Sequence, residues 1–165
     1  HVRHCGARER TDARDQHDAT RACRGGRAIT GVSMGGNGGL WLALRHPDIV
    51  GAGGSISGGV DIRPFPEHWK MKEQLGNYAE YPERWDAHTV INLLDSLPDT
   101  SLHLVIDCGY GDFFYTVNQQ LHDKLLRLGI PHDYYNRPGR HTSEYCANAL
   151  DYQLLFFNKY FESNR

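Results

Sequence analysis

The chain has 165 residues, enough for one domain with a real hydrophobic core. Lys and Arg total 18 against 20 Asp and Glu, a net charge of −2, which argues against a nucleic-acid or membrane-surface partner. No apolar run is long enough to span a bilayer, and His1-Val2-Arg3-His4-Cys5 lacks the apolar core of a signal peptide.

Four cysteines, Cys5, Cys23, Cys108 and Cys146, form no Cys-x-x-Cys pair and match no zinc spacing. They read as free thiols, which leans toward the cytoplasm, and no metal or other cofactor is expected. Residues 1–26 contain no Leu, Ile, Phe, Tyr, Trp or Met, and arginines interleave there with acids. Such a segment cannot bury enough apolar surface to offset its ordering entropy. It is expected to be disordered or weakly helical, apart from a domain over 27–165.

From Arg27 onward, strands and helices alternate. Arg27 to Val32 is a short apolar strand, and Asn37 to Arg45 a helix with Leu40 and Leu44 one turn apart, ended by His46-Pro47. Ile49 to Ile56 is a glycine-rich strand. Residues 60–98, with three prolines before Ser96 and many aromatics, read as an excursion off the sheet with one short helix near Thr89 to Leu94. Leu102 to Ile106 is a buried strand. Phe114 to Leu128 is an amphipathic helix with Val117, Leu121, Leu125 and Leu128 on one face and Gly129 as its cap. His132 to Tyr135 is a strand. Ser143 to Tyr160 is a last helix, with Leu150, Leu154, Phe157 and Phe161 along one side. Alternation of this kind predicts an α/β fold, a mostly parallel sheet with helices on both faces.

The chemistry centres on Gly31-Val32-Ser33-Met34-Gly35. A Gly-x-Ser-x-Gly between strand and helix is the pattern of a nucleophile elbow, which exposes the serine at a tight turn. Ser33 is therefore the candidate nucleophile. Its base and acid should follow later strands, because sites in parallel α/β folds lie outside the strands' carboxyl ends. Asp107 and Asp112 both follow the Leu102 strand. Asp107, at the strand tip, could instead bind turn amides; Asp112 lies further into the loop and is preferred, with an N-cap role as its bland alternative. Of ten histidines, His141 alone sits in a Pro-Gly loop after a late strand. Gly35-Gly36-Asn37-Gly38-Gly39 fits neither a dinucleotide fingerprint nor a P-loop.

Three stretches now coincide: Ile29-Thr30-Gly31-Val32-Ser33-Met34-Gly35-Gly36, Asp107-Cys108-Gly109-Tyr110-Gly111-Asp112-Phe113 and Pro138-Gly139-Arg140-His141-Thr142. In this order and spacing the chain resembles the putative-esterase family of α/β-hydrolases. That family includes esterase D (S-formylglutathione hydrolase), tributyrin, feruloyl and acetyl-xylan esterases and mycolyltransferases. The resemblance implies an α/β-hydrolase fold with Ser33, Asp112 and His141 as the catalytic triad, and the Met34 amide as an oxyanion donor. It implies a pocket from the excursion, with Trp69, Tyr78 and Trp85 as substrate-binding candidates and plain core packing as the bland alternative for each. The implied activity is a serine carboxylesterase acting on a short-chain or carbohydrate-linked ester, with thioester hydrolysis or acyl transfer as alternatives. Family members carry a longer portion before the elbow, supplying further strands and a second oxyanion donor. The expectation is a fragment lacking the N-terminal strands. Such a chain could be catalytically impaired and could self-associate through the exposed edge at Arg27 to Val32.

Overall fold

A computed structural model describes residues 23–97 and 101–164. Among the described residues four parallel strands, β1 (Ala28–Ile29), β2 (Ala52–Ile56), β3 (His103–Gly109) and β4 (His132–Arg137), lie side by side in chain order. The helices are α1 (Met34–Arg45), α2 (Met71–Leu75), α3 (Pro82–Ala87), α4 (Val90–Leu93), α5 (Tyr115–Arg127) and α6 (Ser143–Ser163).

β3 shows why the helices cover both faces. Side chains alternate along a strand. Leu104 and Ile106 point into a cluster with Leu40 and Leu44 of α1, Val90 of α4 and Val117, Leu121 and Leu125 of α5. Val105 points the other way, to Phe157 and Tyr160 of α6. Each fully buried leucine here contributes roughly 1.5–3 kcal/mol relative to exposure. The arrangement is a parallel α/β core with helices on both faces.

The structure adjusts several expectations. The excursion holds α2 and α3 besides the expected short helix at α4. Leu128 is exposed at the end of α5, where Gly129, at φ 66°, turns the chain. β3 runs through Asp107, Cys108 and Gly109, so Asp107 is a strand residue rather than the start of a loop.

The expected face of α6 is also corrected. Leu150 and Leu154 are exposed, and the helix buries Cys146, Ala149, Gln153, Phe157 and Tyr160. Gln153 sets this phase. Its amide donates to the Ser55 carbonyl at 2.9 Å and its side-chain oxygen accepts from the Thr30 hydroxyl. With both ends satisfied, the glutamine escapes the cost of a buried unpaired polar group and can occupy the inner face.

Among the described residues β1 is the outer strand on one side of the sheet, extended by a bridge between Val32 and Ile56. The expected disorder of residues 1–22 lies outside the described residues. Residues 24–26, expected to be disordered or weakly helical, form a 3-10 turn, and the Tyr160 hydroxyl donates to the Arg24 carbonyl at 3.3 Å. Cys23 is disulfide-bonded, which corrects the reading of four free thiols; Cys108 and Cys146 are free and buried. Among the described residues no helix is long and apolar enough to cross a membrane, and no group of three or more His, Cys, Asp or Glu is arranged to hold a metal.

Candidate active site

The elbow begins where β1 ends. The Gly31 carbonyl accepts from the Ile56 amide at 2.9 Å, and the Ser33 amide donates to the Ile56 carbonyl at 2.9 Å. The two bonds tie the elbow to the carboxyl end of β2. The chain then reverses into α1, and Ser33 takes φ 57° and ψ −117°. A non-glycine residue adopts this only where its surroundings enforce it. The enforcement is close packing: a Cβ on Gly31 would lie 2.4 Å from the Gly35 carbonyl oxygen.

His141 reaches this serine from the loop after β4. Its Nε2 lies 3.0 Å from Ser33 Oγ. Its Nδ1 lies 2.9 Å from Oδ2 of Asp112, in the loop after β3. The Asp112 side chain is fully buried and the His141 side chain 23% exposed. Oδ1 of Asp112 accepts from the Phe114 amide at 2.8 Å. The aspartate thus braces the turn into α5 and faces the histidine at once. With Nδ1–H donating to Asp112, Nε2 is free to accept the serine proton.

Three chain segments separated by up to 108 residues are brought together here. Met34, the first residue of α1, carries an amide that lacks an intrahelical acceptor by position, beside Ser33. Asp107 is not in this set. Its carboxylate is buried on the α6 side, bonded to Tyr145 and Arg137. Cys108 is no competing nucleophile. Burial, with the charge of Asp112 adding to it, pushes its thiol far above the ordinary range.

The three aromatic candidates separate. Trp69 lines a cavity of about 250 Å³ together with Met34, Ile62, Met71, Leu75 and His88. Its ring lies 5.8 Å from Phe113, whose ring lies 4.4 Å from His141. The cavity therefore adjoins the Ser33–His141 pair. Trp85 is fully buried, its Nε1–H donating to the Gly76 carbonyl at 3.1 Å, and half-buried Tyr78 packs on it at 5.6 Å. Trp85 is thus a core residue of the excursion, and the expected pocket role is corrected: no face of it is left for a ligand. Phe113 was not anticipated as a site residue. Its place directly after Asp112 was the available signal.

Residues 12–157 match the family model described as Putative esterase. The chain belongs to the putative esterase family. The match begins inside the arginine-rich opening segment. The family member is 31% identical over 100 residues to an S-formylglutathione hydrolase of Bos taurus, covering 60% of this chain and 34% of that relative. Among solved structures it is similar to a ferulic acid esterase, with a TM-score of 0.71 and 26% identity over 84% of this chain and 53% of the other. It is also similar to the fluorophosphonate-binding serine hydrolase F of Staphylococcus aureus, with a TM-score of 0.70 and 25% identity over 81% of this chain and 55% of the other. This esterase-family chain spans 34% of that curated relative's length and 53–55% of those solved structures.

Proposed function

We propose that the chain carries the catalytic machinery of a serine carboxylic-ester hydrolase. The reading rests on one observation, the continuous path from Ser33 Oγ through His141 to Asp112 with contacts of 3.0 and 2.9 Å. Ser33 Oγ attacks the ester carbonyl as His141 Nε2 takes its proton. Asp112 orients the imidazole and stabilises the imidazolium. The Met34 amide, at the positive end of α1, meets the negative charge on the carbonyl oxygen. Collapse of the tetrahedral intermediate expels the alcohol, which receives the proton from His141 and leaves an acyl-serine. Water, deprotonated by His141, then attacks the acyl carbonyl and regenerates Ser33.

The cavity beside the elbow bears on the substrate. A pocket of ~150 Å³ suffices for benzene, so about 250 Å³ has room for an aryl or short acyl group. This favours a small ester or a carbohydrate-linked acyl ester. A thioester or an acyl-transfer substrate is the second reading, favoured by the likeness to an S-formylglutathione hydrolase. The same triad serves both.

The experiment compares p-nitrophenyl acetate, methyl ferulate and S-formylglutathione with the wild-type chain and with Ser33→Ala. Hydrolysis that vanishes with Ser33 supports the triad, and the ranking of substrates chooses between the two readings. A Ser33→Ala chain as active as the wild type sinks the assignment.

A further inference from the structure

Beneath the acid and the base lies a buried polar cluster that the triad does not use. Asp107 in β3 is fully buried. Its Oδ1 accepts from the Tyr145 hydroxyl at 2.6 Å, and its Oδ2 pairs with the Arg137 guanidinium. Arg137 packs over the Tyr152 ring of α6 at 3.9 Å. Asp107 precedes Asp112 by five residues, Arg137 precedes His141 by four, and Tyr145 follows His141 by four. The cluster therefore joins the strand that leads to the acid, the strand that leads to the base and the helix that follows the base.

Tyr145 also touches the loop that presents His141. A Cβ on Gly139, which has φ 154°, would come within 2.1 Å of the Tyr145 ring. The Gly111 amide donates to the Gly139 carbonyl at 2.9 Å, and the Tyr110 amide to the Arg137 carbonyl at 3.1 Å. The His141 loop is thus held by the Asp112 loop on one side and by the Tyr145 ring on the other. The tyrosine is in turn fixed by its bond to Asp107.

A buried ion pair adds little net stability over well-packed apolar side chains, because desolvation offsets its attraction. What it supplies is direction: the carboxylate reaches both the Tyr145 hydroxyl and Nη2 of Arg137 only when β3, β4 and α6 are in one mutual arrangement. We propose that Asp107, Arg137 and Tyr145 form a positioning clamp that holds His141 in hydrogen-bond contact with Asp112. The proposal rests on the triad reading given above. The three act through the loop and not on the reacting atoms.

Tyr145→Phe tests this most cleanly, because it keeps the ring against Gly139 and removes only the hydroxyl. In the clamp account kcat for a p-nitrophenyl ester falls on the order of 10- to 100-fold, since sub-ångström misplacement of a catalytic group has that effect. KM stays within about twofold, because ground-state binding is untouched. A second readout is independent of turnover: the Nδ1 proton of His141, followed by NMR as a downfield imidazole resonance. It is expected in the wild-type chain and is broadened or lost to exchange in Tyr145→Phe, with circular dichroism unchanged. Asp107→Asn should do the same, and if it fails to fold, Tyr145→Phe carries the test. A Tyr145→Phe chain that keeps the resonance with wild-type exchange overturns the clamp, as does its absence from the wild type. If Ser33→Ala leaves hydrolysis intact, the triad reading fails instead, and the resonance still decides the clamp.

Discussion

The two glycines of Gly31-Val32-Ser33-Met34-Gly35 look alike in sequence but have opposite surroundings. A Cβ on Gly31 would lie 2.4 Å from the Gly35 carbonyl oxygen and 2.5 Å from its carbon, both backbone atoms. Relief to ordinary contact needs a shift of about 1 Å in the backbone on one side of Ser33, an overpacking cost of roughly 1–3 kcal/mol. At ~2–4 °C per kcal/mol for a chain of this size, Gly31→Ala should lower Tm by about 2–12 °C. The larger effect falls on chemistry. A serine displaced by close to 1 Å should lose about 100-fold in its reaction rate. A Cβ on Gly35 meets nothing within 4 Å, and the residue lies in the first turn of α1. Gly35→Ala should raise stability by about 0.4–1 kcal/mol through the unfolded state. The assay is the second-order rate of labelling by a small fluorophosphonate, paired with thermal melts. A Gly31→Ala chain that labels and melts like the wild type would refute the packing argument, as would a Gly35→Ala chain damaged as badly as Gly31→Ala.

Other substitutions probe the remaining parts. Asp112→Asn keeps an oxygen for the Phe114 amide but can set an amide NH2 against His141 Nδ1, which selects the wrong tautomer; kcat should fall about 10³–10⁴-fold, with a melt near that of the wild type. Trp85→Ala empties a fully enclosed site and should cost about 3–5 kcal/mol in urea denaturation, whereas Trp69→Ala, 47% exposed, should leave stability nearly unchanged and raise KM for aryl esters. Burial raises Asp107 above the ordinary carboxylate value of 3.8, against the opposing bond from Tyr145 and the charge of Arg137. Between 3.8 and that raised value the native chain holds a proton that the unfolded chain has lost, so this contribution to stability is present at lower pH and is lost as pH rises through the window. Asp107→Asn removes the group, and its denaturation midpoint should decline less steeply with rising pH over that window; an unchanged slope would contradict the assignment.

How much of this was legible in the sequence depended on range. The elbow could be read because its signal is local: a short apolar strand, two glycines around Ser33 and a helix. Asp112 and His141 could be found because each follows its strand within one loop, where strand order dictates that partners meet. The phase of α6 could not, since Gln153 is buried by Ser55 and Thr30, partners 98 and 123 residues away. Leucine at 150 and 154 looked like the inner face because hydropathy takes no account of such partners. Trp69 and Trp85 were equivalent as aromatic residues in one excursion; which is enclosed and which faces the cavity depends on how α2 and α3 fold over Ile62. Asp107 falls at the strand tip when hydropathy alone ends the strand at Ile106, while pairing with β4 carries β3 on to Gly109.

The central claim is that Ser33 is a nucleophile activated by His141. Its most direct test is treatment of the wild-type chain and His141→Ala with a fluorophosphonate, followed by mass-spectrometric location of the adduct. The account predicts one phosphonylated residue, Ser33, in the wild type, and labelling slowed by orders of magnitude without His141. An adduct on another residue, or equal labelling of Ser33 in both chains, would contradict it.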